Sequence, residues 1–108
     1  MYADRLAIFD TVVAQCPEIE RKGKTMPYCS ANGHMFALLT KDGELGFRLG
    51  KNGMATFFRD HDDSGPLKSH GATMRGYVRI PDGMMTDVDQ LVTHLQQAKA
   101  YVESLPPK

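Results

Sequence analysis

The sequence is short of most features that would name a function. Thirteen lysines and arginines stand against thirteen aspartates and glutamates, so the chain has no overall field with which to grip DNA or an anionic membrane, and such binding would need a local patch. It has only two cysteines, Cys16 and Cys29, without close spacing, which suits reduced thiols in a reducing interior better than a disulfide framework. No apolar run approaches membrane-spanning length. The first residues, which include Asp4, Arg5 and Asp10, lack the apolar core and small-residue cleavage site of a secretory signal. These absences place the protein in the cytoplasm, away from the membrane. A length of 108 residues fits one compact domain built on one core.

What is present is organised around the stretch from Asn32 to Leu49. Asn32-Gly33 is the favoured pair for a type I′ hairpin turn, because both residues tolerate positive φ. Asp42-Gly43 repeats the signal. Between them Met35, Phe36, Ala37, Leu38 and Leu39 leave no polar side, which predicts an interior strand covered on both faces. After the second turn Leu45, Phe47 and Leu49 alternate with Glu44, Gly46 and Arg48, so the next strand has one buried and one open face. Thr25 to Ala31 supplies the strand before Asn32. Pro27 cannot donate to a ladder, so this strand lies at an edge or carries a bulge.

Helices flank this meander. Tyr2, Leu6, Phe9, Val13 and Cys16 share one face of an amphipathic helix ended by Pro17. Gly50 to Gly53 reads as a loop, followed by a short helix with Met54, Phe57 and Phe58 on its face. Pro66 to Lys68 and Thr73 to Ile80 read as two further strands, joined by a turn over Ser69 to Ala72. In the longer of the two, Met74, Gly76, Val78 and Ile80 line one side, and Arg75, Tyr77 and Arg79 the other. Thr86 with Asp89 resembles a capping box, and Val88, Leu91, Leu95, Ala98, Val102 and Leu105 form one apolar stripe on a long helix. Leu105-Pro106-Pro107 stops it. The expected fold is α+β, with a five-stranded antiparallel sheet, helices packed on it, and the order α-β-β-β-α-β-β-α.

Few residues carry candidate chemistry. Arg48, Arg75, Tyr77 and Arg79 would make a cationic, aromatic-flanked sheet surface for a carboxylate, a phosphate or an acidic patch, provided their two strands are neighbours. Arg21, Lys22 and Lys24 read as a solvated connection rather than a phosphate grip, because Glu18 and Glu20 offset them. Asp60-His61-Asp62-Asp63 is the one place where a metal site could be written. Its run into Ser64-Gly65-Pro66 reads as a polar loop instead, since metal ligands need elements that fix their geometry. Cys29 and His34 flank a turn and would form a nucleophile and base if paired, but no third group orients them. The sequence thus offers no catalytic, cofactor-binding or metal-binding set.

Four segments in order carry a family resemblance: Asn32-Gly33-His34-Met35-Phe36, Glu44-Leu45 leading to Arg48-Leu49-Gly50, Met74-Arg75-Gly76-Tyr77-Val78, and Leu105-Pro106-Pro107-Lys108. Together they resemble the N-terminal domain of the TfoX/Sxy family in its stand-alone, bacterial form, from about Lys24 onward. The chain departs from the family where Met26-Pro27-Tyr28-Cys29 replaces a Met-Phe-Gly-Gly stretch, and the C-terminal domain of the two-part competence regulators is absent. The resemblance implies an α+β fold similar to that of type III secretion chaperones and YjbR-like proteins. It also implies a transcription-linked regulatory role and no agreed catalytic residues.

The function that follows is a small non-enzymatic interaction module. It would meet a protein partner through the open sheet face or the edge strand, or by dimerising. Direct nucleic-acid binding by the same arginine surface is the alternative, along with a small-ligand or thiol role for Cys29.

Overall fold

The computed structural model describes residues 2–23, 25–69 and 71–108. Among these residues three helices and five strands follow one another as α1 (Tyr2–Ala14), β1 (Tyr28–Ala31), β2 (His34–Leu39), β3 (Leu45–Arg48), α2 (Gly50–Asp60), β4 (Gly65–Ser69), β5 (Ala72–Arg79) and α3 (Val88–Glu103), with a 3-10 turn at Asp82–Thr86 before α3. The strands form one antiparallel sheet in the order β1-β2-β3-β5-β4. The class is α+β with an antiparallel five-stranded sheet, as the sequence predicts. No helix among the described residues is long and apolar enough to cross a membrane.

Both glycine turns form hairpins, in different ways. Asn32 and Gly33 take φ of 57° and 80° and join Ala31 to His34 as a two-residue type I′ turn. At the second turn only Gly43 is left-handed, with φ of 83°. The loop there has three residues, with the Thr40 N–H bonded to the Glu44 carbonyl at 2.9 Å and the Thr40 hydroxyl accepting the Glu44 N–H at 3.1 Å. That double use explains why Thr40 is buried though polar.

β1 is shorter than the sequence suggests. Residues 25–27 stay outside the ladder, and the Pro27 carbonyl takes the Leu39 N–H at 3.0 Å. β1 is an edge strand, and the bulge lies on its partner: Cys29 pairs with Ala37 and Ser30 with Met35, which leaves Phe36 as the extra residue. The slip turns Phe36 and Ala37 to the same side. Both join the main core with Leu39, Leu45, Phe47 and Val78.

All three helices pack on that side. Leu91, Leu95, Ala98 and Val102 of α3 are fully buried there, so the predicted stripe does buttress the sheet, each of the larger three contributing about 1.5–3 kcal/mol of gross apolar burial. α1 adds Phe9, Val12 and Val13. Its last residue is Ala14, before Pro17 is reached. The cap of α3 falls one residue later than the Thr86 signal: Asp87 accepts the Gln90 N–H at 3.1 Å, and the Gln90 side chain returns to the Asp87 carboxylate.

The other face of the sheet is less open than alternation implies. Leu38, Leu67 and Tyr77 form a second small core there, edged by Met26, Tyr28, Met35 and Met74. Leu67 of β4 reaches across to Gly46, where a β-carbon would collide with the Leu67 side chain. Gly46 is therefore the gap that admits Leu67. Met74 joins Tyr77 on this face, contrary to the strict alternation expected of β5. The reason is a register slip between Pro66 and Lys68 and a left-handed Gly76, with φ of 86°, which turns the strand.

Candidate functional site

The condition set for the arginine surface holds: β3 and β5 are neighbours, with Arg48 opposite Tyr77 and Gly46 opposite Arg79. The four residues nevertheless do not make one surface. Tyr77 is 5 % exposed and its hydroxyl donates to the Met35 carbonyl at 2.8 Å. Burial pushes its phenol up to about 12, against the opposing pull of the Arg48 guanidinium. It is a core residue, so the flanking aromatic must come from elsewhere.

Arg79 is also drawn away. It lies 3.9 Å from the Glu44 carboxylate, and its guanidinium donates to the Asp63 carbonyl at 3.1 Å. It shares a mixed basin with Arg5, Lys68, Glu44 and Asp82. There Arg5 bonds Asp82 at 2.8 Å and holds that carboxyl below its usual range. A basin whose charges already answer one another has little left for a ligand.

Arg48 and Arg75 remain together. They line a groove of about 970 Å³ between α2 and the β4–β5 ribbon, with Lys51, Met54 and Phe58 on the helix side, Met74 on the strand side and Tyr101 of α3 closing it. The Arg48 guanidinium lies 5.8 Å from the centroid of the Tyr101 ring, a cation–π distance. That ring in turn lies against Gly50, where a β-carbon would overlap it. Gly50 also has φ of 77°. A side chain there is doubly excluded, and the chain turns from β3 into α2 at that point.

The groove's charge is one-sided. None of the five ion pairs among the described residues involves Arg48, Lys51 or Arg75, and no carboxylate appears among the described lining residues. Lys51 and Arg75 are exposed and Arg48 is half-buried. The first turn of α2 has no acidic side chain, and no side chain caps it, so its free N–H groups add to the same potential. An anionic group with an apolar neighbour is what such a surface accepts.

Lys51, Met54, Phe58 and Tyr101 were not legible as site residues. Reading Gly50 to Gly53 as a loop hid the first, because the helix begins at Gly50. The spacing of Lys51, Met54 or Ala55, and Phe58 at three and four residues was the available signal.

The other candidates fare differently. Cys29 is fully buried, and burial pushes its thiol up to about 12, the nearby Arg21 only partly opposing this. The hairpin sets Cys29 opposite Ala37 and His34 opposite Ala31, and His34 Nε2 instead lies 2.9 Å from the Pro106 carbonyl. No nucleophile and base pair results. Both cysteines are free thiols. Arg21 is tied to Asp10 and to the Gly23 carbonyl, Lys22 bridges Tyr28, and Lys24 lies outside the described residues.

Asp60 ends α2, and His61 stacks on Phe57 with ring centroids 4.5 Å apart. No group of three or more His, Cys, Asp or Glu that could hold a metal occurs among the described residues. The edge of β1 is partly occupied as well, since Lys22 and Tyr28 exchange two backbone bonds of 2.7 and 2.9 Å. A strand from a partner would have to displace that contact. Compared with models of protein families, with curated proteins and with solved structures, the chain finds no match in any of the three.

Proposed function

We propose that the protein is a small non-enzymatic interaction module that docks a segment of a protein partner in the groove between α2 and the β4–β5 ribbon. One observation carries the reading: three cations without carboxylate partners among the described residues line an apolar groove in a chain of zero net charge. Surface cations normally intersperse with acids, as they do around Arg79, so an uncompensated set beside Met54, Phe58 and Met74 supports a complementary anionic and apolar ligand. The cytoplasmic, transcription-linked regulatory role implied by the TfoX/Sxy resemblance is compatible with such a module. Catalysis has no support from a thiol held near 12.

The test is capture from lysate on immobilised protein, with and without nuclease. A protein retained after nuclease, and lost when Arg48 and Arg75 are both changed to Ala in a variant with an unchanged circular dichroism spectrum, supports docking at this groove. Retention abolished by nuclease replaces the reading with nucleic-acid binding. Retention indifferent to both arginines refutes it.

A further inference from the structure

The groove's cations gather at one end. Arg48 stands two residues before the first residue of α2, Lys51 is the second residue of that helix, and Arg75 adjoins Gly76, whose carbonyl accepts the Leu49 N–H at 3.2 Å. All three therefore cluster where β3 passes into α2. Along the helix the lining continues from Lys51 through Met54 and Ala55 to Phe58, which spans about 10 Å at the helical rise. Beyond Lys51 that side of the groove is apolar.

Such polarity specifies more than a charge. Resting on the docking reading above, we propose that the partner segment is a short acidic one, with one or two carboxylate side chains immediately beside a large apolar side chain. The carboxylates meet Arg48, Lys51 and Arg75, and the apolar group lies along Met54, Met74 and Phe58. Two guanidiniums at one end offer paired donors that match carboxylate geometry. The apolar stripe accommodates about three extended residues, at roughly 3.3 Å each. A single nucleic-acid strand would need cations and stacking rings that track several nucleotides. This groove has its cations at one end, and the Tyr101 ring already carries Arg48.

The experiment titrates the isotope-labelled 108-residue chain with an acetylated and amidated hexapeptide holding two glutamates followed by leucine and phenylalanine. Its glutamine counterpart, octanoate and a thymidine hexanucleotide are titrated in parallel. The acidic peptide is expected to shift the amides of Lys51, Met54, Gly76 and Tyr101. At low salt it should bind about fivefold or more tightly than the glutamine peptide, the advantage shrinking as salt rises. Lys51→Glu with Arg75→Glu, both at exposed positions, should reverse that preference while leaving the spectrum folded.

Equal binding of the two peptides, tighter binding of octanoate or the oligonucleotide, or no shifts at all would overturn the proposal. If lysate capture depends on Arg48 and Arg75 while the acidic peptide neither binds nor competes, docking at the groove stands and this inference falls. If capture ignores both arginines, both fall.

Discussion

The side-chain amide of Asn32 donates to the carbonyl of Leu105 at 2.8 Å and to that of Val102 at 3.1 Å. One residue of a hairpin turn thus caps the C-terminal end of α3, 70 and 73 positions away, while the Lys108 N–H returns to the Asn32 carbonyl at 3.3 Å. The same Asn holds φ of 57°, a conformation Asn tolerates and Ala resists. Asn32→Gly keeps the turn and loses both bonds, costing about 1–2 kcal/mol. Asn32→Ala should cost about 1–2 kcal/mol more for its backbone. Urea denaturation of the two variants separates the terms, and equal stabilities would show that the turn conformation is immaterial.

Gly46→Ala should lower stability by about 1–3 kcal/mol, because the new methyl meets the Leu67 side chain in a packed layer. Leu67→Ala alone should also destabilise, by about 2–5 kcal/mol, since Leu67 is fully buried. The double variant is expected to lose less than the sum of the two, as the overlap is gone. Additive losses in a double-mutant cycle would mean that Leu67 does not rest on Gly46.

His94 lies between Phe57, at a ring-centroid distance of 5.0 Å, and Gln97, whose side-chain oxygen is 3.3 Å from its Nδ1. Burial, with a smaller contribution from His61, depresses its pKa below the ordinary histidine value, and the Gln97 contact only partly opposes this. The unfolded chain therefore takes up the His94 proton more readily than the folded one. His94's contribution is fully present above about pH 6.5 and is lost as pH falls through the depressed folded value. Thermal melts of wild type and His94→Gln across that range should converge toward acid, and parallel curves would remove His94 as the cause.

Thiol labelling should be slow. With Cys29 fully buried and its pKa near 12, and Cys16 also buried and raised by desolvation, both should react with a disulfide reagent far more slowly than free cysteine. Urea should restore the ordinary rate. A thiol as fast as free cysteine in the native protein would revive a reactive-cysteine role.

The fold was largely legible in the sequence because its strongest signals are local. The stripe from Val88 to Val102, the turn at Asn32-Gly33 and the alternation of Leu45 with Phe47 each state their own geometry within a few residues. The site was legible only in part. Arg48 and Arg75 stand out in the sequence and do share a groove, yet Tyr77 turns inward and Arg79 meets Glu44. The first depends on Leu67 covering the sheet and on the left-handed Gly76 reorienting half of β5, and the second on the register that sets Arg79 opposite Gly46, two residues from Glu44. Gly76 can take either sign of φ, so the sequence does not say which. Nor does a local pattern indicate that Tyr101, on the last helix, will lie under Arg48.

The measurement that bears most directly on the docking groove is site-specific photocrosslinking in the source cell. A photoreactive phenylalanine analogue would replace Ala55, exposed and lining the groove, or Thr93, exposed on α3 and not among the groove's lining residues. Docking in the groove should give a discrete protein adduct from position 55 that disappears when Lys51 and Arg75 are changed to Glu, and none from position 93. Adducts from position 93 with none from position 55, or adducts at 55 that survive the charge reversal, would contradict it.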